Sequence, residues 1–93
     1  MAKHWYRIDM RDGERSRALI GSSELTPIQL VKQLSVGEYL VLNDLSYRDN
    51  QNRIVSWSTW DPRLGPVAYI NPQYVTTVIP FVSDPRTASG DMP

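Results

Sequence analysis

The sequence predicts a mainly β domain in which five strands curl into a small, partly open barrel with one short helix. Three observations carry that prediction. Runs rich in β-branched and aromatic residues recur between polar or proline-bearing links. Only one segment, residues 25–37, combines helical spacing with start and stop signals. The chain has 93 residues, 41% of them hydrophobic, and no cysteine. Such a chain makes one domain, with a folded surface of roughly 5,500 Å² against roughly 15,500 Å² unfolded. Its hydrophobic content suits a packed fold, not a disordered chain. Without cysteine, disulfides and thiolate zinc sites are excluded.

The first strand is "KHWYRIDM", residues 3–10, where Trp5, Tyr6 and Ile8 favour extended backbone. The charged "RDGERSR" that follows reads as a solvated strand and loop, with a turn at Gly13. The helix is "LTPIQLVKQLSVG". Thr26 is the N-cap, Pro27 takes N1, and Gln29 completes a capping box. Leu25 and Leu30 form a hydrophobic staple, Ile28, Val31 and Leu34 share a face, and Gly37 supplies the left-handed stop. A helix over about 27–35 is too short to stand alone and must lie on something apolar.

"EYLVLNDLSY", residues 38–47, reads as a strand with Leu40 and Leu42 on one side and Tyr39, Val41, Leu45 and Tyr47 on the other. "RDNQN" is a polar turn, and "RIVSWSTW", residues 53–60, alternates again, so the two runs make a hairpin. "DPRLGP" breaks the chain. "VAYI" and "VTTVIPF" are two further strands joined by "NPQY", a tight helical turn where the sheet corners at Asn71-Pro72. Pro80 marks an edge position or a strand end. Residues 1–83 form the domain, and 84–93, "DPRTASGDMP", have the composition of a flexible tail.

Bulk chemistry narrows function. The net charge is zero, unlike a strongly cationic nucleic-acid protein. Eight of the ten basic residues are Arg, however, and Arg stacks on bases and forks onto phosphate. His4 is the sole histidine, the carboxylates are scattered, and the five glycines make no phosphate-binding loop. Nothing here predicts an enzyme, a metal site or a cofactor. No run approaches the roughly 20 apolar residues of a membrane span, and the N-terminus has no signal-peptide core. A soluble cytoplasmic protein is the expectation.

The spacing Ile70-Asn71-Pro72-Gln73-Tyr74-Val75-Thr76-Thr77-Val78 resembles the second signature of Sm-like (LSm) proteins. There a strand ending in Ile leads through Arg-Gly-Asn into a strand with Val and Ile three apart. Ile70, Val75 and Val78 match in type and spacing, and Pro80 falls where the family often has proline. Asn71-Pro72 replaces the family's Arg-Gly. "YRDNQN", with Tyr47, Asp49 and Asn52, is the nearest counterpart of the first signature, at shorter spacing. The whole chain resembles a small Sm-like family abundant in marine metagenomes and of cyanophage type.

The resemblance implies a strongly bent five-stranded SH3-like barrel. It also implies a homo-oligomeric ring closed by edge-strand pairing, binding single-stranded RNA at loops near a pore. Carried over by position, those loops are 47–52 and 71–74. Tyr47 would stack on a base, and Asn50, Asn52, Asn71 and Gln73 would offer amide edges. Arg48 and Arg53 would meet phosphate. The same asparagines also serve turn geometry, and Tyr47 also suits packing. Trp5, Trp57 and Trp60 form a second constellation, which makes a stacking platform or partner pocket if exposed and otherwise fills the barrel or the subunit interface. A different class of function is a structural or adaptor protein, such as a phage assembly factor, docking a protein without nucleic acid. A third is an SH3-like module binding an extended peptide at a sheet edge.

Overall fold

The computed structural model describes residues 2–86. It is mainly β: six antiparallel strands and one short helix, with a further single helical turn and a 3-10 turn. Six strands stand where the sequence predicts five, and the sheet is not closed. The strand that the sequence hides is β2 (Arg15–Ser23), hairpinned to β1 (His4–Asp12) across the two residues Gly13 and Glu14. Gly13 has φ +63 and Glu14 does not share it, the pattern of a type II′ turn that matches strand twist. β2 escapes pattern reading because its first half is exposed and charged, and its buried half is Ile20, Gly21, Ser22 and Ser23.

Helix α1 (Pro27–Ser35) begins as its sequence dictates. Thr26 Oγ1 accepts from Gln29 N–H, and Gln29 Oε1 accepts from Thr26 N–H. It ends in a Schellman motif. Glu38 N–H donates to Gln33 O and Gly37 N–H to Leu34 O, with Gly37 at φ +83. The buried face differs from the expected one. Leu30 is buried and Leu34 half-buried, while Ile28, at 81% exposure, and Val31 point away from the sheet. Leu25, Leu30 and Leu34 together suffice to seat two and a half turns on the sheet.

β3 (Leu40–Arg48) is the spine. β2 pairs with it at Ile20↔Ser46 and Ser22↔Asn43, a one-residue shift that marks a bulge. Two short strands follow the same antiparallel course against β3: β4 (Ile54–Ser56) along Ser46–Arg48, and β5 (Ala68–Ile70) along Leu40–Leu42. Ser46 faces Ser56 and Leu42 faces Ala68. Four steps along β3 thus correspond to twelve along the partner chain, so eight residues are looped out between the two ladders. The predicted strand over 53–60 stops at Ser56. There the chain turns into α2 (Trp57–Trp60), one helical turn whose N-cap is Ser56. Trp57 and Trp60 three apart fit that turn as well as they fit strand alternation, and the cap decides.

The expected corner exists. A 3-10 turn at Pro72–Tyr74 joins β5 to β6 (Val75–Pro80), capped by Asn71 Oδ1, which accepts from Gln73 N–H at 3.0 Å. β6 then pairs with β1. β5 lies on the outer side of β3 and β6 on the outer side of β1, four strand spacings or roughly 19 Å apart in a flat sheet. So short a link makes the sheet curl. The curl encloses the main core of Tyr6, Ile8, Leu30, Leu40, Leu42 and Ile70. The Tyr6 hydroxyl donates to Leu25 O at 2.6 Å, tying α1 to β1. A smaller cluster of Trp5, Ile20 and Ile54, with Phe81 against it, lies on the other face of the β1–β2 hairpin. Packed contacts pass the expected boundary at residue 83. Pro85 is buried, and the Arg86 guanidinium lies 4.4 Å from the Trp5 ring centroid. Residues 87–93 of the expected tail lie outside the described residues.

The strand order β4-β3-β2-β1-β6 leaves β6 with no strand on its outer side among the described residues. Phe81 N–H donates to Trp5 O at 2.8 Å. Antiparallel alternation then directs the Ile79 and Thr77 backbone at β1 and turns that of Pro80 and Val78 outward. Pro80 therefore costs β1 no hydrogen bond and trims the free edge by one donor. No helix among the described residues is long and apolar enough to cross a membrane.

Candidate nucleic-acid interface

The β3–β4 connection builds itself around Asp49. Its Oδ1 accepts from Gln51 N–H at 2.9 Å and Arg53 N–H at 2.8 Å, and its Oδ2 pairs with Arg53 Nε at 3.0 Å. These donors, with the Arg53 backbone N–H foremost, hold the Asp49 carboxyl below the usual carboxylate range. Asn52 sits at φ +66, a conformation that Asn tolerates better than most residues, and its N–H donates to Asp49 O at 3.0 Å. Arg48 Nη1 donates to Asn52 Oδ1 at 3.0 Å and more weakly to its carbonyl. Asn52 is thus a turn residue, and its side-chain oxygen is committed within the turn. Asn50 stands exposed at the apex, and its amide makes no hydrogen bond among the described residues. Arg48 and Arg53 are exposed, and each keeps guanidinium N–H groups unused by these bonds.

Beside this turn the structure assembles three rings. Tyr47 lies against Trp57 with centroids 5.1 Å apart and planes tilted by 54°. Trp57 meets Trp60 edge-on at 5.7 Å and 86°. Trp60 is the outermost, 66% exposed. The Trp57 indole N–H is buried with no acceptor among the described residues. The rings thus form a step, with Trp60 open to a planar ligand and Arg48 and Arg53 on the adjoining turn. Trp5 does not join them, since it belongs to the smaller core cluster. The tryptophans of α2 reach Tyr47 because Ser56 ends β4 and winds the chain back. The Ser-x-x-x spacing before Trp60 is the signal for that turn.

The candidate residues fall into two groups. Tyr47, Arg48, Asn50, Asn52 and Arg53 occupy one end of β3. Asn71 and Gln73 follow Ile70, which pairs with Leu40 at the other end, eight residues or roughly 26 Å away along an extended strand. Asn71 uses its Oδ1 as the cap of the 3-10 turn, and Gln73 is exposed. One chain therefore does not gather all seven into a single surface. Among the described residues no group of three or more His, Asp or Glu side chains is placed to hold a metal ion. Comparisons with protein-family models, with curated proteins and with solved structures return no match.

Proposed function

We propose that the chain is an Sm-like protein that joins copies of itself through its sheet edges and binds single-stranded RNA in the cytoplasm, a host cytoplasm if the chain is of phage origin. The observation that carries the RNA reading is the stepped Tyr47–Trp57–Trp60 stack with Arg48 and Arg53 beside it. Exposed rings take bases of any sequence, at roughly 1–3 kcal/mol per stacked base. The guanidinium groups supply phosphate contacts. Assembly rests on the open strand order, in which the outer side of β6 in one copy can pair with the β4–β5 side of the next. Within such an assembly Asn71 and Gln73 of one copy approach an interface that a lone chain leaves empty.

Fluorescence anisotropy with labelled oligo-U and oligo-A at low salt tests the reading. Binding should weaken about tenfold on Trp60→Ala, the low end of one lost stacking contact, and should fall steeply with salt. Absence of binding at micromolar protein removes the RNA claim. One observation favours the adaptor reading: Ile28 and Val31 on α1 are exposed in a chain of zero net charge. A partner whose affinity is flat in salt would favour that alternative, because phosphate contacts make binding salt-dependent.

A further inference from the structure

The eight arginines are not treated alike. Arg7 pairs with Asp9, Arg53 with Asp49, Arg63 with Asp61 and Arg86 with Asp84, each with a carboxylate two to four residues away. Arg48 is bonded to Asn52. The remaining three, Arg11, Arg15 and Arg17, have no carboxylate partner among the described residues. Arg11 Nε donates only to Gly13 O, at 3.1 Å. The guanidinium groups of Arg15 and Arg17 have no hydrogen-bond partner among the described residues.

All three line one depression of about 240 Å³ at the outer end of the β1–β2 hairpin, together with Met10, Asp12 and Tyr74. The register explains the gathering. Met10 faces Arg17 and Asp12 faces Arg15 across the ladder, so these four share the face that carries Tyr6 and Ile8 further down. Tyr74, from the 3-10 turn, stands beside Met10 because Val75 pairs with Met10. The apolar face of the hairpin thus runs out from the core into a small hollow with cationic walls.

We infer that this hollow binds a nucleoside phosphate, with the phosphate on Arg15 and Arg17 and the base against Tyr74 and Met10. Guanidinium forks match phosphate oxygens in geometry and charge. The tyrosine ring and the thioether give a planar base a soft apolar wall. Asp12 repels a second anion and accepts from a ribose hydroxyl or a base amine. The volume lies just below the roughly 300–1,000 Å³ of common small-molecule sites, which limits the occupant to one nucleotide unit. This inference does not rest on the aromatic turn, which lies on other elements.

Calorimetric titration of the intact protein with 5′-AMP, adenosine and inorganic phosphate tests it. AMP should bind at least about tenfold more tightly than either fragment, since both halves of the hollow are used. The double variant R15Q/R17Q should lose about tenfold or more in AMP affinity, two charge-assisted contacts being removed. Tyr74→Leu should weaken AMP but leave phosphate unchanged. Arg63→Gln and Trp60→Ala should leave AMP binding as it is. That last variant separates failure here from failure of the RNA reading. All the replaced arginines are exposed, so circular dichroism should be unaltered. Equal affinity for adenosine and AMP overturns the inference, and so does an R15Q/R17Q variant that binds like R63Q. A 5′-phosphorylated oligo-A that competes with AMP identifies a strand end as the ligand. An oligo-A that does not compete identifies the free nucleotide. Either outcome supports the site.

Discussion

Asp44 shows most clearly how one residue can hold a strand in an irregular path. It sits at φ +52 in the middle of β3, where the β2–β3 register slips. Its carboxylate accepts from Ser22 Oγ at 2.5 Å and from Lys3 Nζ at 3.0 Å, while Ser46 Oγ donates to its carbonyl at 2.7 Å. The Ser22 hydrogen bond, with Lys3 adding to it, lowers the carboxyl pKa despite partial burial. A carboxylate depressed on folding stabilises above its unfolded value of about 3.9 and loses that contribution as pH falls through the lower folded value. Urea titrations should therefore show stability dropping below about pH 4. Asp44→Asn should flatten that drop and cost about 1–2 kcal/mol at neutral pH, because a charge-assisted bond becomes a neutral one. An unchanged acid limb in the variant would assign the drop to other carboxylates. Asp44 was invisible in the sequence, where "LVLNDLSY" reads as a strand with one polar step. Asn52, by contrast, was legible, because "RDNQN" announces a turn and a turn needs a left-handed residue. The five candidates of 47–53 were found together because they are neighbours in sequence. The Arg11, Arg15, Arg17 and Tyr74 group was not, because folding alone brings residue 74 to residues 10–17.

At the level of elements, legibility followed how local the determinants are. Every end signal of α1 lies within the helix and the residues flanking it, and each holds in the structure. Which face it buries depends on the sheet, and there Leu30 displaces the Ile28–Val31 stripe. β2 was lost for a related reason. Its identity rests on close approach to β3, not on apolar alternation. A Cβ at Gly21 would lie 2.5 Å from Leu42 Cγ and 2.6 Å from the Asn43 carbonyl oxygen. Gly21→Ala should thus push β2 off β3 and cost about 1–3 kcal/mol, the usual penalty of overpacking. Calorimetry should show a melting point lower by roughly 4–8 °C for each kcal/mol in a domain of this size. A variant melting with the parent would mean that β3 yields at the neighbouring bulge.

The molecule as a whole is a curled sheet whose outer strand edges are unpaired among the described residues, and the proposed assembly rests on them. Five strands are expected and six are present, yet the corner at Asn71-Pro72 is readable from the proline, the asparagine and the flanking β-branched residues, while the β1–β6 pairing beyond it is not, because it joins residues some seventy apart. What no single-chain reading supplies is the neighbour. Light scattering should give a mass several times 10.7 kDa. Lysines at Thr76 and Thr77, exposed on β6, should reduce it to one chain with the circular dichroism unchanged, as edge lysines discourage strand addition. A parent of one-chain mass would remove the ring. The looped-out segment between β4 and β5 has a further meaning. The two ladders on either side of it serve opposite faces of the sheet: Ile54 before it packs with Trp5 and Ile20, while Ile70 after it packs in the main core, because β3 itself changes phase at the Asp44 bulge between them. Both ladders take their register from β3, so the tryptophan-bearing stretch can change its length without re-aiming the strands on either side. In this small chain the candidate ligand surface and the framework that carries it are free to vary independently.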